Sequence, residues 1–90
     1  MTPLRWGLLG AGFVASRGVA PAMHDAAGVV VQAVAARDIG RAESLGPVRA
    51  TTSYDEVCDA DDVDAVYISL PNDSHLRWVA AALRAGKHVL

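Results

Sequence analysis

The sequence predicts an α/β fold in which a doubly wound parallel sheet has the strand order 3-2-1-4-5. Short apolar segments alternate with helical ones along the 90 residues, in the pattern βαβαβαβαβ. The strand segments are nearly continuous apolar runs, which is typical of a sheet covered by helices on both faces. A glycine-rich turn joins the first strand to the first helix. Right-handed crossovers then leave this strand order as the natural one.

Composition indicates one small globular domain and argues against several classes of partner. Hydrophobic residues make up 52% of the sequence and charged residues 20%, with a net charge of −2. The eight basic residues are scattered, so no nucleic-acid partner is predicted. No apolar run is long enough to span a bilayer and no cleavable leader is recognisable. We therefore expect a cytoplasmic protein without membrane contact.

Cysteine and histidine positions give no sign of a disulfide or a metal site. Cys58 is the single cysteine, and its acidic neighbours are expected to raise the pKa of its thiol. It is interpreted as a small packing residue. His24 and His88 have no metal-ligand spacing with it, so no metal is predicted.

The first half of the chain predicts three strands and two helices. The strands are residues 4–9, 29–35 and 48–52. The first helix is predicted over residues 13–26, with a kink or break at Pro21, because proline cannot donate to the Arg17 carbonyl. Asp38 is expected to cap a short helix that ends at Leu45.

The second half predicts two more helices and two more strands. Residues 53–56, Ser-Tyr-Asp-Glu, form a capping box before the third helix. The fourth strand covers residues 64–70, and a longer helix follows, capped by Asn72 or Ser74 and ended by Gly86. Its predicted buried face consists of Leu76, Val79, Ala80 and Leu83, with Trp78 off that stripe. Residues 87–90 begin the fifth strand.

The turn after the first strand carries a G-x-G-x-x-A motif in residues 10–15, Gly-Ala-Gly-Phe-Val-Ala. Gly10 permits the tight turn, Gly12 lets a pyrophosphate approach the backbone, and Ala15 lets helix and strand pack closely. Free N–H groups at the helix start favour phosphate binding. The motif predicts a Rossmann-type dinucleotide site, with contacts from Gly10, Gly12, Phe13 and Val14.

The end of the second strand favours NADP over NAD. An NAD site needs an acidic residue there to hold the ribose 2′-hydroxyl, but the expected tip residue is the neutral Ala36. Arg37 follows directly and Arg41 lies one helical turn later, where guanidinium groups suit a 2′-phosphate. Two alternatives stay open: Arg37 could be a solvated loop residue, and Asp38 could take the acidic role if the strand is longer.

The end of the fourth strand predicts the remaining cofactor contacts. Leu70, Pro71 and Asn72 follow this strand at the switch point of the sheet, where ligands bind in such folds. Asn72 can bond a ribose or nicotinamide amide, or cap the helix. His75 lies in the next turn, near the same crevice. No catalytic residue is assigned in the chain.

Five segments together resemble one family over the whole chain. They are residues 5–12, 34–38, 62–68, 71–75 and 85–90. Their order and spacing are similar to those of the glucose-fructose oxidoreductase/inositol dehydrogenase (Gfo/Idh/MocA) family of NAD(P)-dependent oxidoreductases. Within that family the pair Ala36-Arg37 looks like the NADP-using members, and the resemblance implies that His75 contacts the nicotinamide end.

The resemblance implies hydride transfer between a nicotinamide cofactor and a sugar, cyclitol or related polyhydroxy substrate. Such proteins continue into a Glu-Lys-Pro motif with a proton-transferring lysine, and into a second α/β domain that supplies the substrate pocket and often the oligomer contact. Neither has a counterpart here, and Lys87 is not that lysine. Because the chain stops inside an apolar strand, residues 1–90 are expected to be an incomplete dinucleotide-binding domain, inactive alone. The alternative is a non-catalytic NAD(P)-binding sensor or regulatory module.

Overall fold

A computed structural model of the chain describes residues 2–12 and 14–90, without the side chain of Asn72. Its five parallel strands form one sheet in the order β3-β2-β1-β4-β5, which confirms the predicted fold class. The strands are β1 (Leu4–Leu9), β2 (Val29–Ala35), β3 (Arg49–Thr51), β4 (Ala65–Ile68) and β5 (His88–Val89). The α-helices are α1 (Ala20–Asp25), α2 (Ile39–Ser44), α3 (Tyr54–Asp59) and α4 (Asn72–Arg84). Within the described residues, no helix is both long and apolar enough to cross a membrane.

Strand β1 lies at the centre of the sheet and supplies both halves of the core. Successive side chains of a strand point to opposite faces, so Leu8 packs in one cluster and Leu9 in the other. Both are fully buried, and each such leucine contributes about 1.5–3 kcal/mol to the free energy of unfolding. Ala20 and Ala42 cover Leu8 from one face, and Trp78 packs in the cluster of Leu9.

Cys58 is a buried packing residue, as predicted. Burial, followed by the nearby carboxylates of Asp59 and Asp55, raises the pKa of its thiol to about 11. Desolvation is therefore the leading cause, and the acidic neighbours on which the sequence argument rested contribute less. The thiol stays protonated at neutral pH and is a poor nucleophile.

The structure places the irregularity of the first predicted helix, for which a kink or break was expected at Pro21, in the segment before α1. Residues Ala15–Val19 form a π-helical turn, in which the Ala20 N–H donates to the Ala15 carbonyl. Pro21 lies in the first turn of α1, where a missing N–H costs little. The helix is therefore distorted in the turn before the proline, and Pro21 itself does not break it.

The side-chain caps of α2 and α3 follow the sequence prediction. Asp38 Oδ1 accepts from the N–H groups of Gly40 (2.8 Å) and Arg41 (3.3 Å). At α3, Ser53 Oγ accepts from the Glu56 N–H at 3.2 Å, which is one half of a capping box. The other half is made through Thr51, whose hydroxyl accepts from the Ser53 N–H and donates to Glu56 Oε2.

At the start of α4 the two predicted caps are wrong, and at its end the predicted glycine cap is confirmed. Pro71 occupies the N-cap position and Asn72 is already helical, so no capping side chain is used there. Ser74 Oγ donates to the Pro71 carbonyl instead of accepting from a helix N–H. At the other end Gly86 has φ +80°, and its N–H donates to the Leu83 carbonyl, as predicted for a glycine cap.

The predicted buried face of α4 is wrong at its two leucines, whereas Val79 packs against the core as predicted and Ala80 is half-buried. Leu76 is 77% exposed and Leu83 is 58% exposed, whereas Trp78 is 7% exposed and Ala82 is fully buried. Trp78 lies edge-on to Tyr54 of α3, with ring centroids 5.3 Å apart. The helix therefore rests on the sheet through its indole and small side chains, and its leucines face outward.

Ion pairs join the segments at the amino ends of the strands. Arg5 bonds both carboxylate oxygens of Asp64, with its Nε and one terminal nitrogen at 3.1 and 3.0 Å. Asp62 accepts from Arg49 at 2.7 and 3.1 Å and from Gln32 at 2.9 Å. These hydrogen bonds lower the pKa of Asp62 well below its usual range and that of Asp64 to about 2.

Lys87 also lies at this amino-terminal edge. Its ammonium donates to the Ala60 carbonyl, at the C-terminal end of α3, at 2.5 Å. A cation at this position neutralises the negative end of the helix dipole. Lys87 therefore holds α3 against the start of β5, in keeping with the expectation that it is not a catalytic lysine.

Asp64→Asn is expected to lower the melting temperature at pH 7, because the amide cannot pair with both nitrogens of Arg5. The folded-state pKa of Asp64 is depressed, so its stabilisation is present above pH 4 and is lost as the pH falls towards 2. Melting curves of the variant and the wild type should converge over that interval. Asp61→Asn, which neutralises an exposed neighbouring carboxylate, is the control; equal shifts for both variants would contradict the role of the Arg5 pair.

Candidate dinucleotide-binding site

A cavity of about 590 Å³ opens at the carboxyl ends of β1, β2 and β4. This is the switch point of the sheet, where the crossovers on either side of β1 run in opposite directions. The described residues that line the cavity are Gly10, Ala11, Gly12, Ala36, Arg37, Asp38, Arg41, Tyr54, Ser69, Leu70, Pro71, Asp73 and Ser74. Seven of the eleven sequence-predicted contacts are therefore brought together: Gly10, Gly12, Ala36, Arg37, Arg41, Leu70 and Pro71.

Gly10 is required by the protein's own backbone. Its N–H donates to the Ala35 carbonyl at 2.7 Å, and its φ of +94° lies in the region that favours glycine. A Cβ at this position would overlap the Ser69 carbonyl oxygen and would lie 3.0 Å from Leu70 Cδ2. Only glycine lets the chain leave β1 so close to the end of β4.

Gly12 has a different role, because the surrounding protein leaves space for a side chain there. The nearest atom to a Cβ at Gly12 would be Ser69 Oγ, at an ordinary 3.9 Å. Packing within the chain therefore does not explain the glycine. Its position in the cavity wall fits the predicted close approach of a pyrophosphate to the backbone.

The segment after β2 places two guanidinium groups at the cavity. The strand ends at Ala35, and Ala36 is buried, with its N–H bonded to the Thr51 carbonyl at 3.2 Å. Arg37 and Arg41 are exposed and line the cavity. Among the described residues neither is paired with a carboxylate, in contrast to the arginines at the amino-terminal edge.

Asp38 also lines the cavity, in the role of a helix cap. Because β2 ends at Ala35, Asp38 does not extend the strand, and its carboxylate bonds the backbone of α2. Of the two alternatives for this residue, the structure shows the capping role.

The cavity lining also contains residues that the sequence prediction missed. Tyr54 begins α3, Ser69 follows β4, and Asp73 and Ser74 lie in the first turn of α4. Each comes directly or soon after the carboxyl end of a strand. Because the carboxyl ends of parallel strands share one edge of the sheet, the same placement rule used for Leu70 could have identified them.

Four of the predicted contact residues are not among the residues that line the cavity. Val14 is 58% exposed and lies outside the cavity lining. His75 is half-buried in α4, with its backbone N–H bonded to the Pro71 carbonyl at 3.0 Å, and it too lies outside the lining. Phe13 and the side chain of Asn72 lie outside the described residues. Contact with a cofactor stays a prediction for these four residues, as it does for the seven that line the cavity.

Comparison with known proteins agrees with the fold. The family model of the Gfo/Idh/MocA group, described as an oxidoreductase family with an NAD-binding Rossmann fold, matches residues 4–90. An uncharacterized oxidoreductase of Rhizobium meliloti is 42% identical over all of this chain and 28% of its own length. A dTDP-3,4-didehydro-2,6-dideoxy-alpha-D-glucose 3-reductase of Saccharopolyspora spinosa is 42% identical over 98% of this chain and 27% of its own length.

A solved structure gives the same result in three dimensions. KijD10, a 3-ketoreductase from Actinomadura kijaniata crystallised with NADP and TDP-benzene, superposes with a TM-score of 0.91 at 40% identity. The match covers 99% of this chain and 28% of that protein. The chain thus spans little more than a quarter of the length of each of these relatives.

Gly12→Val and Gly10→Ala are expected to act through different mechanisms. Gly12→Val should leave the melting temperature nearly unchanged but weaken dinucleotide binding, since overlap with the ligand costs about 1–3 kcal/mol. Gly10→Ala should lower the melting temperature, because the protein itself has no space for the methyl group. Calorimetric titration and thermal melts separate the two effects. Unchanged affinity in a folded Gly12→Val protein would place the ligand elsewhere.

Proposed function

The chain belongs to the Gfo/Idh/MocA oxidoreductase family with an NAD-binding Rossmann fold, and on that premise we propose that its cavity binds NADP(H) for a hydride-transfer enzyme. The observation that carries the proposal is that Arg37 and Arg41, which have no carboxylate partner among the described residues, line the same cavity as Gly12. The whole protein would oxidise or reduce a sugar, cyclitol or related polyhydroxy compound.

The residues present fit such a cofactor. A volume of about 590 Å³ falls within the usual range of small-molecule and cofactor sites, about 300–1,000 Å³. The open position at Gly12 leaves the backbone accessible to a pyrophosphate. Leu70 and Pro71 give the cavity an apolar wall of the kind that commonly receives a nucleotide base.

The preference for NADP over NAD is argued from charge. Ala36 offers no carboxylate to a ribose 2′-hydroxyl, and Asp38 accepts bonds from its own helix. A 2′-phosphate would meet two guanidinium groups that have no competing acid partner among the described residues. The NADP found with KijD10, which is 40% identical, supports the same preference.

The chemistry divides between this chain and the rest of the proposed enzyme. When bound, the nicotinamide supplies the hydride donor or acceptor. The chain binds and orients the cofactor, but hydride transfer to a carbonyl also needs an acid or base at the substrate oxygen. We place that group, the substrate wall and any oligomer contact in a second domain, since the relatives are more than three times as long.

The substrate class is inferred from the relatives. The reductase of Saccharopolyspora spinosa acts, by its name, on a deoxy sugar carried on dTDP, and KijD10 is a 3-ketoreductase. A polyhydroxy substrate is therefore the first class to test. We further propose that the enzyme is cytoplasmic and acts without a metal ion or a nucleic-acid partner.

Arg37→Ala is expected to weaken NADP(H) binding by about 1.5–3 kcal/mol, the value of a lost hydrogen bond to a charged group. NAD(H) binding should change much less, because it has no 2′-phosphate. Dissociation constants for both cofactors measure the difference. Arg84→Ala, an exposed arginine at the end of α4 outside the cavity, is the matched control. Equal losses for the two cofactors would remove Arg37 from the proposed role.

The 90-residue chain alone is expected to bind cofactor without catalysing turnover. No residue of the chain is proposed as the proton donor to the substrate oxygen. The wall that would hold the reacting carbons in contact is proposed to lie in the second domain, and such positioning supplies much of an enzyme's rate. The measurement is nicotinamide absorbance with a panel of polyols and sugars. Clear cofactor-dependent turnover by the purified chain would contradict this division, and His75 would then be the first residue to mutate.

A further inference from the structure

Tyr54 is the only aromatic side chain among the described residues that line the cavity. It is the first residue of α3, directly after the Ser53 cap, and it is half-buried. Because the protein covers this side chain only in part, the side chain can contact a bound molecule. Aromatic rings attract other flat ring systems through stacked or edge-to-face contacts. Tyr54 is therefore suited to contact one of the two ring systems of a dinucleotide.

The ring of Tyr54 is held in place by a second aromatic side chain. It meets the Trp78 indole edge-on, with ring centroids 5.3 Å apart and planes at 85°. Trp78 is buried in the cluster that contains Leu9, and the guanidinium carbon of Arg77 lies 4.9 Å from the centroid of the indole. A side chain packed in this way cannot move without opening the core. The Tyr54 ring is thus ordered before a ligand arrives, and contact with it costs little side-chain entropy.

The order of the strands indicates which half of a dinucleotide Tyr54 would meet. A pyrophosphate at Gly12 would lie just beyond the end of β1, so the two nucleosides would extend to opposite sides of that strand. Strands β2 and β3 lie on one side of β1, and β4 and β5 lie on the other. Arg37 follows β2, and Tyr54 begins the helix that follows β3. Both therefore belong to the side proposed for the adenosine half, whose ring system is adenine.

We propose that the ring of Tyr54 binds the adenine of the dinucleotide and that Trp78 positions the ring for this contact. The inference rests on the proposed function, in which the cavity binds NADP(H). Leu70 packs against the same buried cluster and also lines the cavity, so it adds an apolar contact near the ring. Adenine is common to NADP and NAD, so the Tyr54 contact adds to the affinity for both and does not choose between them.

Two substitutions of Tyr54 test the ring by affinity. Tyr54→Leu should weaken binding of NADP and of NAD by the same factor, about five- to tenfold, because a base loses its aromatic contact. Tyr54→Phe keeps the ring and should bind both cofactors as the wild type does. The equal loss separates this effect from that of Arg37→Ala, which falls mainly on NADP. Unchanged affinity in Tyr54→Leu would overturn the proposal, as would an equal loss in Tyr54→Phe.

A direct measurement of contact separates ligand binding from a structural effect of these substitutions. In protein with isotope-labelled tyrosines and bound NADP, nuclear Overhauser effects should join the adenine protons to the ring protons of Tyr54. Tyr67 is the internal control, because it packs against the cluster on the other face of the sheet and lies outside the cavity lining. Contacts of Tyr54 with the nicotinamide protons instead, or none with adenine in the bound protein, would overturn the proposal.

The same measurement tests the positioning role of Trp78. Trp78→Phe leaves a ring against Tyr54 and should keep the adenine contact, whereas Trp78→Leu should weaken it. An undiminished contact in folded Trp78→Leu protein would overturn the positioning role. If the wild-type protein binds neither dinucleotide, the proposed function itself fails, and that result is distinct from all the others.

Discussion

The close approach of Gly10 to the end of β4 is the constraint on which the cavity depends. Gly10 continues the ladder of β1 with its bond to Ala35, and the Ser69 N–H continues it on the other side with a bond to Leu9 at 2.8 Å. The chain then turns away with a positive φ that has no space for a side chain. The two neighbouring strands therefore end level with β1, and a crevice forms between the loops that follow them.

The two edges of the sheet divide structural and binding roles. At the amino-terminal edge, Arg5 and Arg49 are bound bidentately by Asp64 and Asp62, and Lys87 bonds the end of α3. At the carboxyl-terminal edge, Arg37 and Arg41 line the cavity without an acid partner among the described residues. Arginines thus stabilise the fold at the edge where they pair with carboxylates, and they remain available to bind an anion at the edge where they do not.

Helix α4 shows why hydrophobic periodicity alone misplaced a packing face. Leu76 and Leu83 share one stripe and were expected to be buried, yet both are exposed. The space between the helix and the sheet is filled by Trp78, whose ring meets Tyr54, and by the small Ala82. A tryptophan buries more surface than a leucine. Burial of the Trp78 indole therefore sets the orientation of the helix, and in that orientation Leu76 and Leu83 face outward.

The sequence by itself determined the strand order, the position of the cavity at the carboxyl ends of the strands and the caps at Asp38, Ser53 and Gly86. These features depend on local patterns: apolar runs bounded by turns, glycines where the backbone needs them, and side chains that bond N–H groups a few residues away. Tertiary structure decided which arginines stay without a carboxylate partner among the described residues and which side chains of α4 are buried. Each of these depends on residues distant in sequence that meet only when the sheet has formed, and no local pattern encodes such a meeting.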